Sequence, residues 1–215
     1  RRVFLKSCTN GSSELMTNLS MSLVNALYNL QLMKIAGENG VAAYGAVMYV
    51  NFIFVATFLG YAIGCAPVIS YHYGAGNHAE LKNLYKKSMS IILVWGVILF
   101  GAAQLLAPVL SKIFVGYNTG LYAMTLHGFR VYAIAFLIIG INIFGSSFFT
   151  ALNNGLISAV ISFLRTLVFQ VIMVLTLPLW FGINGIWSAI SIAEALTLIM
   201  TTTFFVRQKD KYHYL

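Results

Sequence analysis

Residues 157–179 read ISAVISFLRTLVFQVIMVLTLPL, an apolar run in which Arg165 is the sole ionisable side chain. A helix rises about 1.5 Å per residue, so about 20 such residues cross the roughly 30 Å hydrocarbon core of a bilayer. The run is bounded by turn-formers, Asn153-Asn154-Gly155 before it and Phe181-Gly182-Ile183-Asn184-Gly185 after it. It therefore reads as a membrane span with short connections to its neighbours, and short connections imply antiparallel packing.

Working outward, five further windows satisfy the same length rule: residues 15–33, 41–70, 89–110, 128–152 and 183–206. The second is long enough for a tilted or interrupted helix and carries Pro67 near its end. Ala36-Gly37-Glu38-Asn39-Gly40 separates the first two windows, and Gly74-Ala75-Gly76-Asn77-His78 opens a longer loop that turns basic at Lys82, Lys86 and Lys87. The fold expected is all-α, a polytopic transmembrane bundle of about six spans over residues 1–215.

Composition agrees. The hydrophobic class makes up 60% of the chain and charged residues 8%, with a mean hydropathy of +0.84. A soluble domain carries about a quarter of its residues charged, so this chain could not cover a folded surface in water. The net charge of +8 would suggest nucleic acid in a soluble protein. Here the basic residues sit mainly between and beyond apolar runs, which points to membrane orientation and away from nucleic acid.

With six spans both ends of the chain lie on one side. That side collects Arg1, Arg2, Lys6, Lys82, Lys86, Lys87, Arg207, Lys209 and Lys211, against Lys34 and Lys112 opposite. The positive-inside rule then makes both ends cytoplasmic. The abrupt opening Arg1-Arg2-Val3-Phe4 suggests a piece of a longer chain. Cys8 and Cys65 read as small buried hydrophobes, and His72, His78, His127 and His213 are scattered. No zincin, nucleophile-elbow or phosphate-loop pattern occurs, so neither an enzyme nor a metal site is expected.

Polar residues inside spans carry the functional signal, because lipid-facing positions avoid them. Glu14, Asn18, Ser22, Asn25 and Asn29 fall within an arc of about 80° on the first span. Asn142, Ser146, Thr150 and Asn153 make a similar stripe on the fourth, Ser158, Ser162, Arg165 and Thr166 on the fifth, and Ser191, Glu194, Thr197 and Thr201 on the sixth. Two readings stand: hydrogen bonds between helices, or the wall of a water-filled cavity. Glu14 is either a carboxylate at the positive end of a helix or a group that handles a cation or proton. Arg165 and Glu194 lie on adjacent antiparallel spans at depths differing by roughly 6 Å at the helix rise, within reach of a structural ion pair. Arg130 lies near an outer end, where it would snorkel. Tyr28, Tyr44 and Tyr49 could contact cationic ligands. Ala56, Gly60 and Gly64 form a small-residue ladder suited to close helix packing.

Several stretches together resemble the carboxy-terminal half of a bacterial multidrug and toxic compound extrusion (MATE) transporter, nearest to a Firmicutes branch. They are Asn10-Gly11-Ser12-Ser13-Glu14, Gly37-Glu38-Asn39-Gly40-Val41-Ala42-Ala43-Tyr44 and Gly64-Cys65-Ala66-Pro67-Val68-Ile69-Ser70-Tyr71-His72-Tyr73-Gly74-Ala75-Gly76-Asn77. Phe148-Phe149-Thr150-Ala151-Leu152-Asn153-Asn154-Gly155 and Ser162-Phe163-Leu164-Arg165-Thr166 complete the set. The resemblance implies one six-helix lobe of a twelve-helix plasma-membrane antiporter whose amino-terminal lobe is absent from this chain. It implies export of organic cations, drugs or metabolites in exchange for Na⁺ or H⁺, with no other cofactor. It also marks Glu14 as the candidate for the family's seventh-helix carboxylate. The acid that some branches place in the tenth helix is replaced here by Asn142, Ser146 and Asn153. Two alternatives remain open, a lipid-linked precursor flippase of the same superfamily and a non-transporting membrane scaffold subunit.

Overall fold

A computed structural model describes residues 2–215, with side chains from Leu19 onward. The described residues are helical throughout apart from short turns. Five continuous stretches are long and apolar enough to cross a membrane. The first of them doubles back. The helix Arg2–Gly74 breaks at Gly37, whose φ of 63° and ψ of −153° leave the helical region. A positive φ there favours glycine, which has no Cβ to clash. The chain thus has six legs: α1 (2–36), α2 (38–74), α3 (His78–Val115), α4 (Thr119–Ala151), α5 (Gly155–Phe181) and α6 (Ile183–Tyr212).

Tyr28 and Tyr44 show the reversal directly. Their rings stack with centroids 5.0 Å apart and planes 7° from parallel, whereas sixteen residues of straight helix would separate them by about 24 Å. At the bend, a Cβ on Gly40 would stand 2.7 Å from the Ala36 methyl, so the two legs can close only around glycine.

The remaining turns are short and capped by asparagine. Asn77, Asn118 and Asn154 each accept a backbone N–H from the first turn of the following helix, supplying a partner that helix N-termini lack. The basic segment 82–87 is not a loop. The connection ends at Asn77, and Lys82, Lys86 and Lys87 project outward from the first turns of α3 while Leu81 and Tyr85 turn inward. Pro67, Pro108 and Pro178 all lie within helices that continue past them.

The core lies where α4 runs through the middle of the bundle; two-thirds of its most apolar window is buried, against a fifth in α3 and α5. Glycine sets the closest approaches. Gly140 admits the Phe58 ring of α2, Gly128 admits the Trp187 indole of α6, and a Cβ on Gly96 of α3 would stand 3.0 Å from the Phe136 carbonyl oxygen. The expected ladder behaves otherwise: Ala56, Gly60 and Gly64 are exposed, with nothing within 4 Å of the glycine positions. At the far end of α6 the chain tucks back, Tyr214 donating to the Phe205 carbonyl at 2.9 Å within a cluster of Tyr85, Phe148 and Phe205.

Candidate functional site

Between the hairpin α1–α2 and the inner faces of α4, α5 and α6 lies an open cleft. Its walls are mostly apolar, with Met21, Met48, Phe52 and Ile143 among them, and its polar groups converge from five helices. A shallower groove between α1 and α2 continues it past Asn29 and Tyr49, sharing Asn25 and Tyr44. A concave, mainly apolar site with few convergent polar groups is the usual form of a small-molecule site.

An ion pair forms the floor. Arg165 Nε donates to Glu194 Oε1 at 2.8 Å and to Oε2 at 3.1 Å. Asn142 Nδ2 donates to Oε2 at 2.7 Å and to the Glu194 carbonyl at 3.0 Å. Glu194 is fully buried, with 1% of its side chain accessible against 15% for Arg165. A carboxylate this deep is costly unless paired and hydrogen-bonded, and here both conditions hold. Local backbone geometry helps to aim the arginine, since residues Leu164–Phe169 adopt a π-helical turn. One extra residue per turn rotates the following side chains, and such turns recur at functional sites.

The first-span stripe is divided. Glu14 and Asn18 lie outside the residues whose side chains are described. Asn25 lines the cleft and its Oδ1 accepts from the Tyr44 hydroxyl at 3.0 Å. Asn29 is exposed in the outer groove and donates to the Asn25 carbonyl at 3.0 Å. Ser22 is exposed and stands outside both cavity linings.

The fourth-span stripe meets a helix rather than the cleft over most of its length. Ser146 lies 2.9 Å from the Ser158 hydroxyl and 2.8 Å from that of Ser162, and Thr150 donates to Ser158 at 2.6 Å. These hydroxyls form a seam between α4 and α5, and Ser146 is not among the residues lining the cleft. Asn153 is also displaced: it is exposed at the end of α4 with φ of 58°, serving the turn. Asn142 is buried behind the cleft surface and meets it only through Glu194.

Cleft residues outside the expected set are Asn51, Tyr132 and Gln170. Asn51 and Gln170 are single amides in apolar runs, a weaker signal than the periodic stripe that includes Asn142. Tyr28 also lines the cleft; its hydroxyl is buried and, like Asn51 Oδ1, has no protein partner among the described residues. Tyr49 stands apart, exposed and stacked on Phe114 at 5.9 Å. Among the described residues no group of His, Cys, Asp and Glu is arranged to hold a metal ion.

The six legs thus form a bundle with a polar-floored cleft open on one side. The MatE family model matches residues 15–176, and the chain belongs to that family. Solved structures agree in fold. A MATE protein in complex with MaL6 superposes with a TM-score of 0.91 at 20% identity, covering 100% of this chain and 49% of that one. An outward-facing multidrug resistance MATE family transporter of the MOP superfamily gives 0.88 at 21%, covering 99% and 48%. A MOP superfamily transporter from Pyrococcus furiosus gives 0.87 at 21%, covering 97% and 47%. The chain therefore spans about half the length of the structures it matches. No curated protein sequence matches it.

Proposed function

We propose that this chain is one lobe of a secondary-active exporter, and that its cleft forms one wall of the path taken by a small amphipathic organic solute. The observation that carries the reading is the open cleft, with a buried ion pair at its floor and unpartnered polar atoms in its wall. A second lobe would close the open side, in keeping with relatives about twice as long. Exchange against Na⁺ or H⁺ would drive export. Glu14 is the favoured coupling group, as the one carboxylate on the polar face of α1. Organic cations and drugs stand among the solutes such a cleft could carry. The basic residues Lys82, Lys86, Lys87, Arg207, Lys209 and Lys211 share one end of the bundle; the positive-inside rule makes that end cytoplasmic in a plasma membrane.

The alternatives fit less well. A flippase for lipid pyrophosphates needs surplus positive charge, whereas the described cleft carries one arginine neutralised by one glutamate. A scaffold subunit would have a dry interior with its polar groups paired, contrary to the orphaned Tyr28 hydroxyl and Asn51 carbonyl.

The test is reconstitution of the complete transporter in proteoliposomes. Imposed Na⁺ or proton gradients are expected to drive uphill movement of an organic solute, and a matching ionophore to abolish it. Absence of gradient-driven movement for a broad panel of solutes would remove the reading.

A further inference from the structure

We infer that the cleft contains an acid-group subsite at Arg165, so that the preferred solute is an aromatic or similarly flat amphiphile bearing a single carboxylate-type group. The inference rests on the transporter reading above and narrows its substrate class.

Three observations carry it. Glu194 is withdrawn: it is fully buried, and both oxygens are engaged by Arg165 Nε and Asn142. Arg165 is not. Its bonds to Glu194 use Nε alone, and among the described residues its two Nη groups have no partner, while its side chain remains partly accessible and lines the cleft. A guanidinium carries five N–H donors in a planar fork, so four remain to grip an oxyanion bidentately. Thirdly, Tyr28 lines the same cleft, and its buried hydroxyl has no partner among the described residues.

Polarity follows from distance. An anion on the Nη edge meets the guanidinium directly and the Glu194 carboxylate only behind it, so attraction exceeds repulsion in a site of low effective dielectric. A cation in the same place meets the opposite balance and finds no accessible carboxylate among the described lining residues. The Nη edge offers one planar fork, which fits one acid group and leaves the further charges of a pyrophosphate without a cationic partner among the described lining residues. The stacked Tyr28–Tyr44 pair, with Phe52 and Met48, gives the apolar body of the solute a flat wall.

The experiment uses the complete transporter and four fluorescent naphthalene probes that differ only in headgroup: carboxylate, phosphate monoester, neutral amide and trimethylammonium. The carboxylate probe is expected to bind at least tenfold more tightly than the ammonium probe, with the phosphate ester distinguishing a general oxyanion site from a carboxylate-specific one. Arg165→Gln is expected to bring the carboxylate probe down to the level of the amide probe, and Arg165→Lys to keep part of the preference. The wild-type headgroup series needs no variant, so a misfolded mutant does not shelter the inference. Equal or tighter binding of the ammonium probe overturns the acid-group subsite while leaving the transporter reading intact. Failure of all four probes to bind or move overturns both.

Discussion

Asn142 on α4 and Glu194 on α6 are joined twice, by the Nδ2 contact of 2.7 Å to Oε2 and the 3.0 Å contact to the main-chain carbonyl. One amide thus fixes both the backbone of α6 and the carboxylate that holds Arg165 of α5 in place. Three helices meet at this point, and the cleft floor is as rigid as their junction.

Glu194→Ala would leave the mostly enclosed Arg165 guanidinium without its carboxylate, beside an apolar methyl. Removing one member of a buried pair costs about 3–5 kcal/mol, so a marked fall in the thermal unfolding midpoint in detergent is expected. Replacing both members, as in Arg165→Met with Glu194→Leu, removes the charge imbalance and is expected to recover most of that loss. A double variant as unstable as the single one would show that the pair does more than cancel charge.

The α1–α2 hairpin depends on Gly37 and Gly40. Gly37→Val forces a β-branched residue to φ of 63°, where strain of about 1–3 kcal/mol is typical. Gly40→Leu would drive a side chain into Ala36 and Leu32. Both are expected to lower folded yield in membranes, whereas Gly60→Leu and Gly64→Leu, with open space at the glycine, are expected to be neutral in this lobe. Comparable losses at all four sites would contradict the packing described.

Tyr44→Phe removes the 3.0 Å bond to Asn25 while leaving the ring stack with Tyr28 intact. A stability change of about 0.5–1.5 kcal/mol is expected. Tyr44→Ala removes the stack as well and is expected to cost more, together with solute affinity. Equal effects of the two substitutions would place the hydroxyl, not the ring, at the centre of the wall.

Coupling is tested separately at Glu14. Transport by the complete protein carrying Glu14→Gln is expected to lose its dependence on pH or Na⁺, whichever the wild type shows. An unchanged dependence would remove Glu14 from the mechanism.

The sequence makes the spans legible because length and apolarity depend on bilayer thickness alone. It also brings Arg165 and Glu194 within reach, since depth along neighbouring helices is simple arithmetic; in the structure they lie 2.8 Å apart. What one sequence does not contain is azimuth, the direction in which a polar face points once helices pack. Ser146 and Thr150 share a face as their spacing requires, yet that face meets Ser158 and Ser162 of α5. Ala56, Gly60 and Gly64 share a face too, and theirs meets nothing within this lobe. Asn51 and Gln170 each stand alone in an apolar run, without the periodic stripe that marks Asn25 in the sequence. The lysines of 82–87 looked like loop because charge interrupts hydropathy, although it need not interrupt a helix.

The cleft as a solute path is tested most directly by substituted-cysteine labelling in the complete transporter. Gln170→Cys, in the cleft, is compared with Ile199→Cys, on the outer face of α6. A water-soluble thiol reagent is expected to label position 170 rapidly and position 199 slowly, and a transported solute to protect position 170 alone. Labelling at 170 no faster than at 199, or unaffected by solute, would contradict the account.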